Sequence, residues 1–464
     1  MVNGICALLI VALVAFIFFV QRRHNQVPVK QSPQSDLAQM TFQSKVFLGV
    51  KVITEDNPLL EEQQGQPPLK FGYFGSVRMR QAGAIMTSEL KSSEDALVVM
   101  TSLEDTAERI GYEFTESEKI TNALLQTLFQ DSAAALTPIE KEHLKSELLW
   151  FGELALHPQP KNPQTNPDAV RDEILDGVKS TAYTVAGLTF GVLAALILGV
   201  VGFIVMMVMY SHDKLIMRTQ MYTGGSSVYL ESFTVWMLSF VVFSWVLGSV
   251  APDTNLLVAN VIVFLSSFVA GMLWAALRGK LDGQSRSDIG YCGNPIQELP
   301  VAIWCYVCSL PLVAFGLIIS GILMFYSAGG GDGSAVLESS APSHPLLEWV
   351  MVGDTTSIAL VFFIACFCAP LVEETMFRGF FYRSIKDGSH RTGHFASTVI
   401  AATINGFIFA AIHPQGVFYI PSLCALGMAF SFAREWRGTL WTPIFMHALH
   451  NGIITCVLVF VVSA

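Results

Sequence analysis

From Thr181 onward the chain is cut into apolar stretches of membrane-spanning length, and this repetition limits the fold more than any other feature. The stretches lie near residues 181–210, 227–250, 255–277, 299–326, 355–378, 395–413, 417–433 and 440–462. A bilayer core of about 30 Å is crossed by about 20 helical residues. Runs this long and apolar read as membrane-spanning helices. Residues 5–20 form a further apolar stretch, followed by Gln21-Arg22-Arg23-His24. With no positive charge before it and no small-residue cleavage site after it, it reads as an uncleaved anchor. Only 14% of the residues are charged, against about 25% in soluble domains. The expected fold is all-α: a polytopic helical membrane bundle of about eight spans plus an N-terminal anchor helix, with a small, mainly helical soluble domain.

The soluble part is expected at residues 25–180, between an anchor at 1–24 and two parts of the bundle, 181–354 and 355–464. Residues 31–38 and 55–68, rich in Pro, Gln and Glu, read as linkers, as does the four-proline segment 157–167. Residues 95–129 have helical apolar spacing. Thr137-Pro138-Ile139-Glu140 is a capping box with proline at the first helical position. Leu144, Leu148, Phe151 and Leu154 continue from it at helical spacing. No catalytic residue types gather in this region, which reads as an interaction or regulatory module.

Composition and absent motifs remove several function classes. A net charge of −10 argues against a general nucleic-acid binder. The eight cysteines lie in or near apolar segments, so residues 21–180 hold no disulfide framework. Cys305-x-x-Cys308 and Cys366-x-Cys368 lack a second Cys/His pair at zinc spacing and read as packing residues. There is no His-Glu-x-x-His, no Gly-x-Ser-Gly and no Walker A sequence. Residues 329–333 contain Gly-x-Gly-Asp, but no span offers Asp332 a partner aspartate, and this Gly-rich stretch reads as a flexible linker.

One apolar run ends in two adjacent carboxylates, Glu373 and Glu374, with Arg378 following. A carboxylate at bilayer depth costs roughly 2.5–3.5 kcal/mol on insertion scales. Glu374 and Arg378 are four apart, share a helix face and can pair. Glu373 points about 100° away and has no partner in the stretch. A helix end among lipid headgroups would also tolerate these charges, but two later segments argue for a buried site. Phe409-Ala-Ala-Ile-His413 closes one span, and His447-Ala-Leu-His450-Asn451 sits early in another. Phe409 with His413, and His447 with Asn451, are each four apart and lie on one helix face. A lone intramembrane histidine is usually a packing or hydrogen-bonding residue. Three segments that each bring ionisable or amide groups into hydrocarbon are not explained that way.

Glu-Glu-x-x-x-Arg, Phe-x-x-x-His and His-x-x-x-Asn, in this order on membrane helices, resemble the CPBP family (Abi, CAAX protease and bacteriocin-processing proteins). Its eukaryotic relatives are the Ras-converting CAAX endopeptidases. The resemblance covers about residue 355 to the C-terminus, and residues 433–443 resemble the family's lead-in to its last motif. It implies intramembrane peptide hydrolysis, with Glu373 and His413 activating water, His447 and Asn451 forming the oxyanion hole, and Glu374 and Arg378 in support. The chemistry of the residues agrees. Hydrolysis needs an activated water, oxyanion stabilisation and a proton for the leaving amine. Glu374 has Arg378 as counter-ion, which leaves Glu373 as the general base. His450 lies outside the pattern and reads as a packing or polar-network residue. No cofactor is expected, because Asn451 is a poor zinc ligand and a good oxyanion donor. The alternative is a zinc site of Glu373, His413 and His447 with one open position. The expected partners are the lipid bilayer and a membrane-embedded or lipidated protein or peptide substrate, prenylated CAAX proteins among the candidates. The chain departs from the family in its long extension before residue 355 and in ending at Ala464, soon after the last motif.

Lys and Arg follow the first, third, fifth and seventh spans of the bundle, whereas residues 251–254, 327–354 and 414–416 carry none. By the positive-inside rule the basic loops, and the mouth of the site, are expected on the cytoplasmic side of a bacterial plasma membrane. Residues 25–180 then fall outside, against which Arg22 and Arg23 stand. Two other functions compete. A scaffold or immunity-type binding protein would not need Glu, His and Asn at catalytic spacing. A transporter using them as a proton relay would carry inverted repeats, and the sequence contains none.

Overall fold

The computed structural model describes residues 2–24, 33–55, 76–131, 136–159, 168–214, 227–251, 256–279, 283–327, 350 and 355–463. Among them there are helices and turns but no strand. The chain clusters into two compact units, one from residues 1–28, 192–330 and 344–457, the other from residues 29–191, 331–343 and 458–464.

Helix α1 (Val2–His24) belongs to the first unit. The second unit is built from α2 (Pro33–Glu55), α3 (Val77–Leu90), α4 (Ser93–Ile110), α5 (Glu116–Gln130), α6 (Pro138–Leu148), α7 (Trp150–Leu156) and the first half of α8 (Ala169–Ser211). Its core gathers Leu37, Leu48, Ile85, Leu125, Leu144, Leu148, Phe151 and Leu154. Residues 31–38 are therefore not a linker throughout: α2 starts at Pro33, and Leu37 is fully buried. The polar and proline residues fall in the first turn, where a missing N–H costs nothing. Leu37, Met40, Ser44 and Leu48 then form one buried helix face. Residues 95–129 divide into two helices, because Gly111 takes the left-handed conformation (φ 69°) that ends α4. The capping box at Thr137 and Glu140 is present, with Pro138 in the first turn. The helix breaks at Leu149 (φ 53°), where Gly152 presses on the Leu144 carbonyl too closely to admit a side chain. Residues 56–68, 160–167 and 329–333 lie outside the described residues.

The first unit holds α9 (Ser227–Val250), α10 (Leu256–Leu277), the short α11 (Gly283–Ile289), α12 (Pro295–Ser327), α13 (Thr355–Gly388), α14 (His394–Ala411), α15 (Ile420–Arg437) and α16 (Trp441–Ser463), with the second half of α8. All eight expected spans are present among the described residues as helices long and apolar enough to cross a membrane. The chain is a polytopic helical membrane protein. Half of the span residues of α14 and α15 are buried, against 11% for α8, so the bundle is centred on α14 and α15. The outward apolar side chains of α8, such as Phe190 and Ile197, suit a hydrocarbon solvent. Ile10 of α1 joins an aromatic core of Tyr229, Phe233, Trp236, Phe377, Phe380 and Phe381, in which Phe233 stacks on Phe381 at 4.4 Å.

In the second unit the buried pair Arg171–Glu89 is bidentate, at 3.2 and 2.7 Å, and Arg171 also donates to the His157 carbonyl at 2.7 Å. Removing one partner strands a buried charge, which typically costs about 3–5 kcal/mol. Arg171→Ala is therefore expected to lower the melting temperature of this unit by well over 5 °C, followed by the fluorescence of Trp150. A shift within error would contradict the role given to the pair.

Candidate active site

The site starts from a helix that cannot be a regular α-helix. In α13 two π-helical segments, Ile364–Cys368 and Thr375–Phe381, flank a short α segment, Ala369–Glu374, that ends in the two carboxylates. Pro370 accounts for the first. It has no N–H to give, and the Ala369 N–H bonds Ile364 O in the i→i+5 register. Continued by one residue, that register would ask Pro370 to serve the Ala365 carbonyl. Asn451 Nδ2 serves it instead, at 2.8 Å. In the second π segment the Phe377 carbonyl accepts the Tyr382 N–H and, at 2.7 Å, Asn405 Nδ2 of α14. Between them Thr375 Oγ1 donates to Leu371 O at 2.6 Å, so the Tyr291 hydroxyl, 2.5 Å away, is the donor to Thr375.

Glu374, Arg378 and His447 form a fully packed polar triad. Arg378 donates to Glu374 Oε1 at 3.0 Å and to the Gly427 carbonyl at 2.9 Å, and His447 Nδ1 reaches the same Glu374 oxygen at 2.8 Å. Glu374 and Arg378 have no solvent exposure. The guanidinium lies over Phe409 (4.6 Å) and Phe430 (5.2 Å), whose ring faces add cation–π attraction. Phe430 also stacks on His447, centroids 5.3 Å apart. The close crossing of α14 and α15 makes room for this: a methyl on Gly427 would stand 2.8 Å from Gly406 Cα.

Glu373 turns the other way, as its 100° offset requires, and keeps a 16% exposed side chain. Its Oε2 lies 3.8 Å from His413 Nε2 and 4.0 Å from His447 Nε2, with no hydrogen-bond partner. His413 sits in the turn just past α14, where Nδ1 meets the Phe409 carbonyl at 2.5 Å. A carbonyl only accepts, so Nδ1 carries the proton and Nε2 offers a lone pair towards Glu373. His447 likewise donates Nδ1–H to the Arg378-paired carboxylate of Glu374. Acceptor atoms thus converge on one small space. A water there can donate one proton to Glu373 and one to His413.

The same three atoms are a chemically reasonable donor set for a divalent cation. Neighbouring ligands of tetrahedral zinc, with bonds of about 2.0–2.2 Å, stand roughly 3.3–3.6 Å apart, closer than the two distances above. Among the described residues no group of three or more His, Cys, Asp or Glu has metal-binding geometry.

Glu373, Glu374, Arg378, His413 and His447 are thus brought together. Asn451 lies one turn beyond His447 with one amide hydrogen engaged at Ala365 O. His450 is turned elsewhere and bonds the Tyr306 hydroxyl at 3.1 Å. Asn405, Phe430, Gly427 and Tyr291 are site residues that the motifs omit. Asn405 had a signal, a lone amide on an apolar helix four residues before Phe409 and eight before His413. The lead-in to the last motif is a polar hub. Glu435 takes Tyr382 (2.9 Å) and Lys386, Arg434 holds the Asp288 and Ile289 carbonyls, and Arg437 pairs Glu298 at 2.9 and 2.7 Å.

Arg378→Ala leaves the Glu374 carboxylate buried and uncompensated and is expected to cost about 3–5 kcal/mol. Glu374→Gln/Arg378→Met, which removes both charges, should cost less than the single change. Unfolding of the three proteins in nanodiscs checks that order, and a double variant less stable than Arg378→Ala would contradict it.

The comparisons with known proteins fall on this segment. Residues 355–453 match the family described as type II CAAX prenyl endopeptidase Rce1-like. Over 101 residues, 21% of this chain, the sequence is 33% identical to the membrane-embedded CAAX protease MroQ of Staphylococcus aureus (strain USA300). The match spans 38% of that relative's length. No solved structure matches the chain. The segment that brings Glu373, Glu374, His413 and His447 together is therefore the part of the chain that is similar to CPBP-family proteases of the Rce1-like type.

Proposed function

We propose that the chain is an intramembrane endopeptidase in which Glu373 and His413 hold and activate a water. The observation that carries this reading is the convergence of Glu373 Oε2 with the bare Nε2 of His413 at 3.8 Å. The water gives one proton to Glu373 as its oxygen adds to the scissile carbonyl carbon, while His413 holds its second hydrogen. Negative charge grows on the carbonyl oxygen. His447, protonated at both nitrogens and steadied by Glu374 on Nδ1, donates Nε2–H to it. Asn451 has a second amide hydrogen for the same task. Glu373 then passes its proton to the amide nitrogen as the C–N bond breaks and the carbonyl re-forms, releasing an amine and a carboxylic acid, which becomes a carboxylate by giving the hydrogen held at His413 Nε2 to that nitrogen.

Substrates in this reading are membrane-embedded or lipidated proteins or peptides. The family match and the name of the staphylococcal relative support a prenylated CAAX C-terminus as the first class to test. The Lys/Arg distribution supports a site reached from the cytoplasmic side of a bacterial plasma membrane. No cofactor is assigned. The zinc-dependent alternative has one observation in its favour. Both imidazoles have Nδ1 tied to a carbonyl or carboxylate, as metal-binding histidines do. In that case Glu373, His413 and His447 would hold the ion, which would polarise the water and the carbonyl.

The test is cleavage of fluorogenic peptides, prenylated and plain, by purified protein in nanodiscs. Glu373→Ala and His413→Ala are each expected to lower kcat/KM about 10²–10⁴-fold at unchanged protein level. Variants that cleave like wild type would contradict the assignment, whereas no cleavage by any form, wild type included, would favour a non-catalytic scaffold. The mechanism needs Glu373 without its proton and His447 with a second one. kcat/KM should therefore fall at acid pH, where the two groups hold both protons, and at alkaline pH, where they hold neither. A profile with no alkaline limb would contradict the part given to His447.

A further inference from the structure

We propose that Asn405 is a positioning residue for the reaction, pinning α13 to α14 so that Glu373 faces His413. The inference rests on Glu373 and His413 being the water-activating pair.

Asn405 is fully buried in an otherwise apolar helix, with Nδ2 2.7 Å from the Phe377 carbonyl. Among the described residues its Oδ1 has one long contact, 3.5 Å, from Ser431 Oγ. The Phe377 carbonyl already accepts the Tyr382 N–H, so it would not be orphaned by the loss of Asn405. What the amide adds is a lateral tie between helices, at a π segment where the backbone has more than one register open to it.

The place of the tie gives it a mechanical role. Phe377 is four residues after Glu373, and His413 is eight after Asn405, so the tie lies along the helix pair from the Glu373–His413 contact. Asn451 makes the corresponding tie from α16 to Ala365, eight residues before Glu373, with His447 one turn away. The two amides bracket the carboxylates and fasten α13 to the helices that bring the two imidazoles. Phe377 also directly precedes Arg378, whose guanidinium orients Glu374 and, through it, His447. A slip of about 1 Å between reacting groups can cost about 10²-fold in rate.

Asn405→Leu keeps the volume and removes the donor. On the peptide that wild type cleaves, kcat should fall roughly 10–100-fold, with KM within about twofold and the melting temperature in nanodiscs unchanged. Ser431→Ala, which removes the long contact to Asn405 together with a 2.9 Å hydrogen bond to the Gly427 carbonyl but leaves the tie to Phe377 in place, should keep kcat within about twofold. Wild-type kcat in Asn405→Leu would overturn the proposal. So would a loss that resides in KM, that follows a fall in melting temperature, or that Ser431→Ala reproduces. Glu373→Ala separates the two levels. If it remains active, the water-activating assignment fails; if it is dead while Asn405→Leu is fully active, only the pin fails.

Discussion

A guanidinium with no solvent exposure in a membrane bundle must be neutralised and wrapped, and the surroundings of Arg378 follow from that requirement. Its charge meets Glu374, its Nη2 donates to the Gly427 carbonyl, and its faces meet Phe409 and Phe430. Each demand places another element. The carbonyl brings α15 against α14 at two glycines, Phe409 fixes the end of α14 that leads to His413, and Glu374 becomes the anchor for His447. Glu373, one residue away, is turned by helical geometry out of this buried cluster. It faces the two imidazoles with an oxygen that has no partner. The polar triad is thus the frame, and Glu373 is the carboxylate that the frame leaves facing the two imidazoles.

The helix that carries both carboxylates is itself held in an uncommon form. Pro370 removes one donor, the backbone widens into π turns on either side of Ala369–Glu374, and side-chain amides take up carbonyls that the wider turns present. Such turns have identifiable causes and recur at functional sites. Here they exchange intrahelical bonds for ties to neighbouring helices, which converts the register of one helix into the geometry of the site.

Much of this was legible in the sequence, for local reasons. Hydropathy over about 20 residues reveals spans regardless of what they pack on, and pairs four apart share a face in any helix. All eight spans were legible, and so was the Glu374–Arg378 pairing. Other features depend on partners distant in the chain. The start of α2 at Pro33 was hidden by its polar first turn, and the break at Leu149 by apolar spacing that runs straight through it. Asn405 and Phe430 act through carbonyls and rings supplied by other helices. The ring nitrogen that each histidine presents to Glu373 is decided by the Phe409 carbonyl and the Glu374 carboxylate. The residues that pass the site's motifs were readable; the atoms that face one another were not.

In the proposed chemistry a carboxylate and a neutral imidazole activate water without help from an ion. The most direct test is peptide cleavage by wild-type protein after exhaustive treatment with a strong zinc chelator, with bound metal measured in the same sample. Full activity is expected at a metal content far below one ion per chain. Activity lost on chelation and restored by zinc alone would contradict it and make Glu373, His413 and His447 ligands.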